Sequence, residues 1–112
     1  MVKFETKLHG DFKIYIKQIK DGILNNSLSS TLEYQKNFES DDAKCTIMIF
    51  ERYSISGKNR ITLTIALYEP KEKDIELFAT ASGGSNGIFI KMNDFGEYSF
   101  LEVLKKVIKN LK

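Results

Sequence analysis

Short runs of alternating apolar and polar residues recur along the chain and indicate β-strands. In the first run, residues 2–8, every second position is apolar or β-branched, and the residues between are charged. This pattern is typical of a strand with one buried face. Five further runs have strand character, and the run at 44–52 is apolar on both sides. These five predicted strands are residues 28–35, 44–52, 60–68, 75–81 and 88–92.

Two other segments repeat apolar residues at spacings of three and four, which indicates amphipathic helices. Asp11 is a plausible N-cap for the first helix, and the Gly and Asn residues at 22, 25 and 26 favour its end. Asp94 is a candidate cap for the C-terminal helix. The first helix has its apolar stripe at Phe12, Tyr15, Ile16, Ile19 and Ile23. The second has its stripe at Glu97, Phe100, Leu101, Leu104, Val107, Ile108 and Leu111.

The order of elements is therefore β-α-β-β-β-β-β-α within one domain spanning residues 1–112. Short connections after the second strand favour an antiparallel meander. Two amphipathic helices need a single sheet face to cover. The sequence predicts an α+β, two-layer fold with an antiparallel sheet of about six strands and both helices on one face.

A glycine-rich segment at 79–92 admits two interpretations, a phosphate-binding loop or a turn between strands. Placing Ala81 opposite Ile88 forms a hairpin whose four-residue loop, Gly83-Gly84-Ser85-Asn86, contains glycines suited to positive φ. A phosphate-binding loop instead opens a helix. Because a strand is predicted to follow, the pattern favours the turn, and anion binding by the loop backbone is the alternative.

The hairpin between the third and fourth predicted strands determines which residues share a face. Pairing Ser54 with Lys58 leaves a three-residue loop that ends at Gly57, a position that favours glycine. This register places Ile49 opposite Leu63 and sends the alternate residues of the strand to the other face. The helices then cover the richer face, which includes Cys45, Ile47, Ile49, Leu63 and Ile65.

The other face carries more apolar side chains than a solvated surface normally tolerates. A second copy of the chain is the simplest cover, because two-fold dimers are the commonest oligomers. A small ligand, strong curvature of the sheet and a scatter of apolar surface residues are the alternatives. The interface candidates are Met48, Phe50, Tyr68, Phe78 and Phe89.

Two arginines are the most notable charged residues. The same register sets Arg52 directly opposite Arg60, and two adjacent cations need an anion or a carboxylate between them. Glu33 on the neighbouring strand could provide that carboxylate. An anionic ligand is the other interpretation, with the Gly83–Asn86 loop as a further candidate site.

Composition limits the remaining chemistry. Seventeen basic and fifteen acidic residues are interspersed with a net charge of +2, which gives no support for nucleic-acid binding. Cys45 is the only cysteine and His9 the only histidine, so zinc-type metal sites lack ligands. Their predicted opposite faces argue against a Cys–His nucleophile. We therefore expect no catalytic group, metal or cofactor, and with no signal or membrane segment we expect a cytoplasmic protein.

The segments FERYSISGKNR and ASGGSNGIFIKMNDFGE, at 50–60 and 81–97, resemble a family of small uncharacterised bacterial proteins that is classed as a domain of unknown function. This resemblance extends over most of the chain and implies a bacterial cytoplasmic protein without assigning activity or site residues. The order of elements is also similar to a shortened helix-grip domain, although 112 residues leave little room for the cavity of that larger fold.

The sequence thus predicts a non-enzymatic interaction module that self-associates through the second sheet face. Binding of a small amphipathic or anionic ligand is the alternative function.

Overall fold

The computed structural model describes residues 1–27, 29–53, 59–83 and 90–112. Its architecture is α+β, with one antiparallel sheet and two helices on one of its faces. This confirms the predicted fold class. The elements in chain order are β1 (Val2–Leu8), α1 (Phe12–Asn26), β2 (Thr31–Glu39), β3 (Ala43–Tyr53), β4 (Arg60–Pro70), β5 (Ile75–Gly83) and α2 (Ile90–Lys109).

The sheet has five strands in the order β1-β5-β4-β3-β2, and every neighbouring pair is antiparallel. Strands β2 to β5 form the predicted meander. Strand β1 pairs with β5, so β1 and β2 lie at opposite edges of the sheet. The intervening helix α1 connects these edges, and the chain from β1 to β2 therefore crosses the face that α2 also covers.

The predicted stripe of α1 is buried, and so is that of α2 from Glu97 to Val107, whereas Ile108 and Leu111 are partly buried. Asp11 caps α1 as predicted, since its carboxylate accepts a hydrogen bond from the Ile14 amide at 3.0 Å. The predicted sixth strand at 88–92 is wrong, because α2 begins at Ile90, and Asp94 lies inside that helix rather than before it. A five-residue apolar run does not by itself distinguish a strand from a buried helical turn.

Strand β2 is longer than predicted at its polar end. It continues to Glu39, which pairs with Lys44, so the turn to β3 is confined to residues 40–42. Backbone hydrogen bonds to β3 sustain this polar strand, because a ladder requires no apolar side chains.

The register between β3 and β4 differs from the predicted one by a single residue. Phe50, rather than Ile49, lies opposite Leu63, and Met48 lies opposite Ile65. A slip of one residue moves every side chain of a strand to the other face of the sheet. Because β3 is apolar on both sides, its own pattern does not select a register. The predicted three-residue loop at 55–57 and its closing pair, Ser54 and Lys58, lie outside the described residues.

The core lies between the sheet and the two helices. Phe50, Met48, Leu63 and Ile65 are fully buried there with Phe100 of α2. The helices approach each other closely at Gly22, where an added Cβ would lie 2.7 Å from a methyl carbon of Val107. This contact aligns α1 with α2 above the sheet.

Candidate functional site

The sheet face opposite the helices, here called the uncovered face, is rich in apolar side chains. Ile47 and Ile49 of β3 are half-buried, and they point away from the core because their neighbours Met48 and Phe50 point into it. Tyr68 and Phe78 remain 44% and 42% exposed. The apolar side chains of this face, counted over the described residues, are Tyr34, Phe38, Cys45, Ile47, Ile49, Tyr53, Ala66, Tyr68 and Phe78.

Cross-strand pairing arranges these side chains as a continuous apolar band. Tyr34 of β2 lies opposite Ile49 of β3, and Ile47 lies opposite Ala66 of β4. Ala66 in turn lies opposite Phe78 of β5. Since directly opposite residues share a face, the band extends across four adjacent strands.

The structure changes the membership of the predicted interface. Met48 and Phe50 were predicted to lie on the uncovered face, and this is wrong, because both are fully buried beneath the helices. Tyr68 and Phe78 do lie on the uncovered face. Phe89 lies outside the described residues.

Ile47 and Ile49 of β3 lie on the uncovered face, where Met48 and Phe50 had been predicted. Sequence reasoning missed them because both faces of β3 are apolar. Within the described residues, the pairs of β3 with β4 run as far as Tyr53–Arg60, and nothing in the pattern of β3 itself indicated this register.

Charged residues surround the apolar band. Lys3, Glu5 and Lys7 alternate along the uncovered side of edge strand β1. At one end of β3 and β4, Glu51 and Arg60 form a salt bridge. The border of the face therefore carries both signs of charge.

Arg52 and Arg60 do not form the predicted pair, since the observed register sets Arg52 opposite Ile61. Arg52 lies on the helix-covered side, where its guanidinium donates to the Ser27 hydroxyl at 2.7 Å and the Ser99 hydroxyl at 2.9 Å. The same group stacks 4.4 Å from the centroid of the Phe100 ring. Burial lowers the pKa of Arg52 from its usual value. These contacts assign Arg52 a structural role that joins α1, β3 and α2.

The glycine-rich segment joins a strand to a helix, so its interpretation as a hairpin between strands is wrong. Gly83 ends β5 and donates its backbone N–H to Oε2 of the buried Glu97 at 2.8 Å. The other Glu97 oxygen lies 2.9 Å from the amino nitrogen of Met1. A carboxylate therefore already occupies the Gly83 amide, which disfavours an anion there. Gly84, Ser85 and Asn86 lie outside the described residues.

His9 and Cys45 are separated in the fold. The His9 Nδ1 atom lies 2.7 Å from Asp74 Oδ1 at the exposed end of β1. Cys45 is half-buried on the uncovered face, opposite Tyr68, and not in the core as predicted. The one-residue register difference also accounts for this change.

These features define a small α+β protein with one helix-covered and one uncovered sheet face. The chain belongs to the family of unknown function DUF6054, whose model matches residues 1–112. This match confirms the predicted relation to an uncharacterised family, whereas the likeness to a helix-grip domain stays a prediction. No match was found among curated proteins or among solved structures. Within the described residues, neither helix combines the length and hydrophobicity that a membrane span requires.

Proposed function

We propose that this protein is a non-enzymatic interaction module that forms a homodimer through its uncovered face. The observation that carries this proposal is the apolar band that joins Tyr34, Ile49, Ile47, Ala66 and Phe78 across four strands. Isolated apolar residues on a surface need no explanation, but a contiguous patch of several hundred Å² favours a binding partner.

The size of the uncovered face suits a stable dimer. Its five strands average about nine residues in length. With strands about 4.8 Å apart and a rise of about 3.3 Å per residue, the face measures roughly 24 Å by 30 Å. Contact between two such faces would remove about 1,400 Å² of surface from water in total, within the range of about 1,200–2,000 Å² for specific complexes.

The chemistry of the face also suits a second copy. Two antiparallel sheets pack face to face through interdigitating apolar side chains, as in β-sandwiches. A two-fold interface requires a surface that is complementary to itself. The band supplies the apolar centre, and the mixed border of lysines and glutamates avoids the repulsion that a single sign of charge would produce.

Size-exclusion chromatography with light scattering tests the proposal. The parent chain should elute at about twice its mass of 12.9 kDa. Phe78→Lys places a charge within the apolar band and should yield a monomer with unchanged circular dichroism. Ile14→Lys is the matched control, because Ile14 is 51% exposed on α1 and lies away from the sheet. This control should remain dimeric.

A parent chain that is monomeric at about 100 μM would refute the dimer, since a homodimer of functional affinity associates well below that concentration. A dimer that persists in Phe78→Lys but dissociates in Ile14→Lys would place the contact on the helices instead.

Ligand binding is the second candidate function, and the observation that favours it is a groove on the helix side of the sheet.

A further inference from the structure

A groove of about 460 Å³ lies on the helix side of the sheet, between α1 and the edge strand β2. The helix-side positions of β2 carry the polar side chains Gln35, Asn37 and Glu39, which lie opposite helix-side positions of β3. These polar side chains do not close the space beneath α1 as apolar ones would. Beyond Leu32, which packs against the core, β2 offers no apolar side chain to the stripe of α1. Volumes of this size are typical of small-molecule sites.

A hydrogen-bonded network forms the floor of the groove. The hydroxyl of Thr46, which is 3% exposed, donates to Asn37 Oδ1 at 2.8 Å, and Gln35 Nε2 donates to the same oxygen at 3.2 Å. Lys20 Nζ donates to Gln35 Oε1 at 3.0 Å. Asn37 thus uses its carbonyl oxygen twice, and its amide group remains as a hydrogen-bond donor toward the groove.

The walls of the groove carry an excess of positive charge. Lys17 is neutralised by Asp21, whose carboxylate lies 2.6 Å from its ammonium group. Three further lysines, Lys13, Lys20 and Lys44, line the groove with one carboxylate, Glu39. Within the described part of the chain, none of these three forms a salt bridge. Like-signed groups around a concave surface concentrate counter-ions there.

Apolar side chains complete the lining. Phe12 and Ile16 of α1 line one side of the groove, whereas Phe38 of the edge strand borders its mouth with its side chain on the uncovered face. We propose that this groove binds a small amphipathic anion, whose charged head meets Lys13 and Lys44 and whose apolar body lies against Phe12 and Ile16. The proposal is independent of the dimer, since the groove and the uncovered face lie on opposite sides of the sheet.

A titration followed by ¹⁵N–¹H NMR tests the site, with octyl phosphate below its micellar concentration as the probe. The largest shifts should appear at the amides of Lys13, Ile16, Gln35, Asn37 and Lys44. Octanol, which lacks the charge, and inorganic phosphate, which lacks the apolar body, should each bind at least tenfold more weakly.

Lysine variants separate this site from general charge attraction. Lys13→Gln and Lys44→Gln should each weaken binding by about two- to fivefold, the range measured for partly exposed charge pairs. Lys73→Gln, in the exposed turn between β4 and β5, is the control with the same change of net charge and should bind as the parent does. Phe78→Lys should also bind unchanged.

Three outcomes would overturn the proposal. The shifts could map to the uncovered face, with binding lost in Phe78→Lys. Lys73→Gln could weaken binding as much as Lys13→Gln does, which would show only a dependence on net charge. Octanol or inorganic phosphate could bind as tightly as octyl phosphate, which would show that the groove does not recognise the combination of charge and apolar body.

Discussion

Truncation of Phe50 provides a direct test of the register that defines both sheet faces. The Phe50 side chain is fully buried and lies opposite Leu63 in the core. Phe50→Ala removes the aromatic ring and leaves a cavity that the surrounding side chains fill only in part. Changes of this kind cost about 3–5 kcal/mol of the free energy of unfolding.

The size of the chain converts this loss into a measurable shift. With an unfolding entropy of about 2.1 cal/mol/K per residue, the whole chain of 112 residues gives about 0.24 kcal/mol/K. A loss of 3–5 kcal/mol therefore lowers Tm by roughly 12–20 °C. This is a large share of the total stability of about 5–15 kcal/mol that is typical of single domains.

Ile49→Ala is the matched variant on the adjacent residue of the same strand. Ile49 is half-buried on the uncovered face, so its truncation should cost only about 1 kcal/mol in the monomer, since part of its surface is already in water. Urea denaturation followed by circular dichroism, at a concentration low enough to favour the monomer, measures both variants. The register deduced from the sequence alone requires the opposite order. A larger loss for Ile49→Ala than for Phe50→Ala would therefore refute the observed faces of β3.

Substitutions at three further positions test contacts made by the helices, and urea denaturation measures the free energy of unfolding of each variant. Asp11→Ala removes the hydrogen bond to the Ile14 amide and should cost about 1 kcal/mol, whereas Asp11→Asn should retain most of the stability. Gly22→Ala should destabilise by about 1–3 kcal/mol despite its better helix propensity, because the new Cβ would contact Val107; a more stable variant would contradict this close approach. Arg52→Lys should lower the free energy of unfolding by about 1–3 kcal/mol, because one ammonium group does not reproduce both the hydrogen bonds to two hydroxyls and the stacking on the aromatic ring. An unchanged denaturation midpoint would contradict the structural role of Arg52.

The sequence predicted the helices most closely, because their apolar residues recur at spacings of three and four and lie on a single face. Every residue of the α1 stripe from Phe12 to Ile23 is buried, and Asp11 caps the helix as its position suggested. The Phe100 to Val107 part of the α2 stripe likewise lies in the core. Because the opposite side of each helix is mainly polar, only one orientation of the helix buries its apolar side chains.

The same reasoning was incomplete for the candidate site because β3 is apolar on both sides. In either register, β3 buries one complete set of apolar side chains and leaves the other set on the uncovered face. The burial of apolar surface by this strand therefore does not favour one register over the other. The observed register, in which Phe50 lies opposite Leu63, depends on contacts with the rest of the fold rather than on the pattern of β3. The polar groove beside α1 was also missed, since the predicted second strand ended at residue 35, before Asn37 and Glu39.

What the sequence determined by itself is the α+β class, the buried stripes of both helices and the presence of more apolar sheet surface than two helices can cover. These are local or compositional properties, and a periodic pattern is sufficient to establish them. Tertiary structure decided which side chains of β3 face outward, that residues 90–92 begin a helix, and that Arg52 contacts both Ser27 at the end of α1 and α2. Each of these depends on a partner that is distant in the chain, and the free energy of that contact, rather than the local pattern, selects the result.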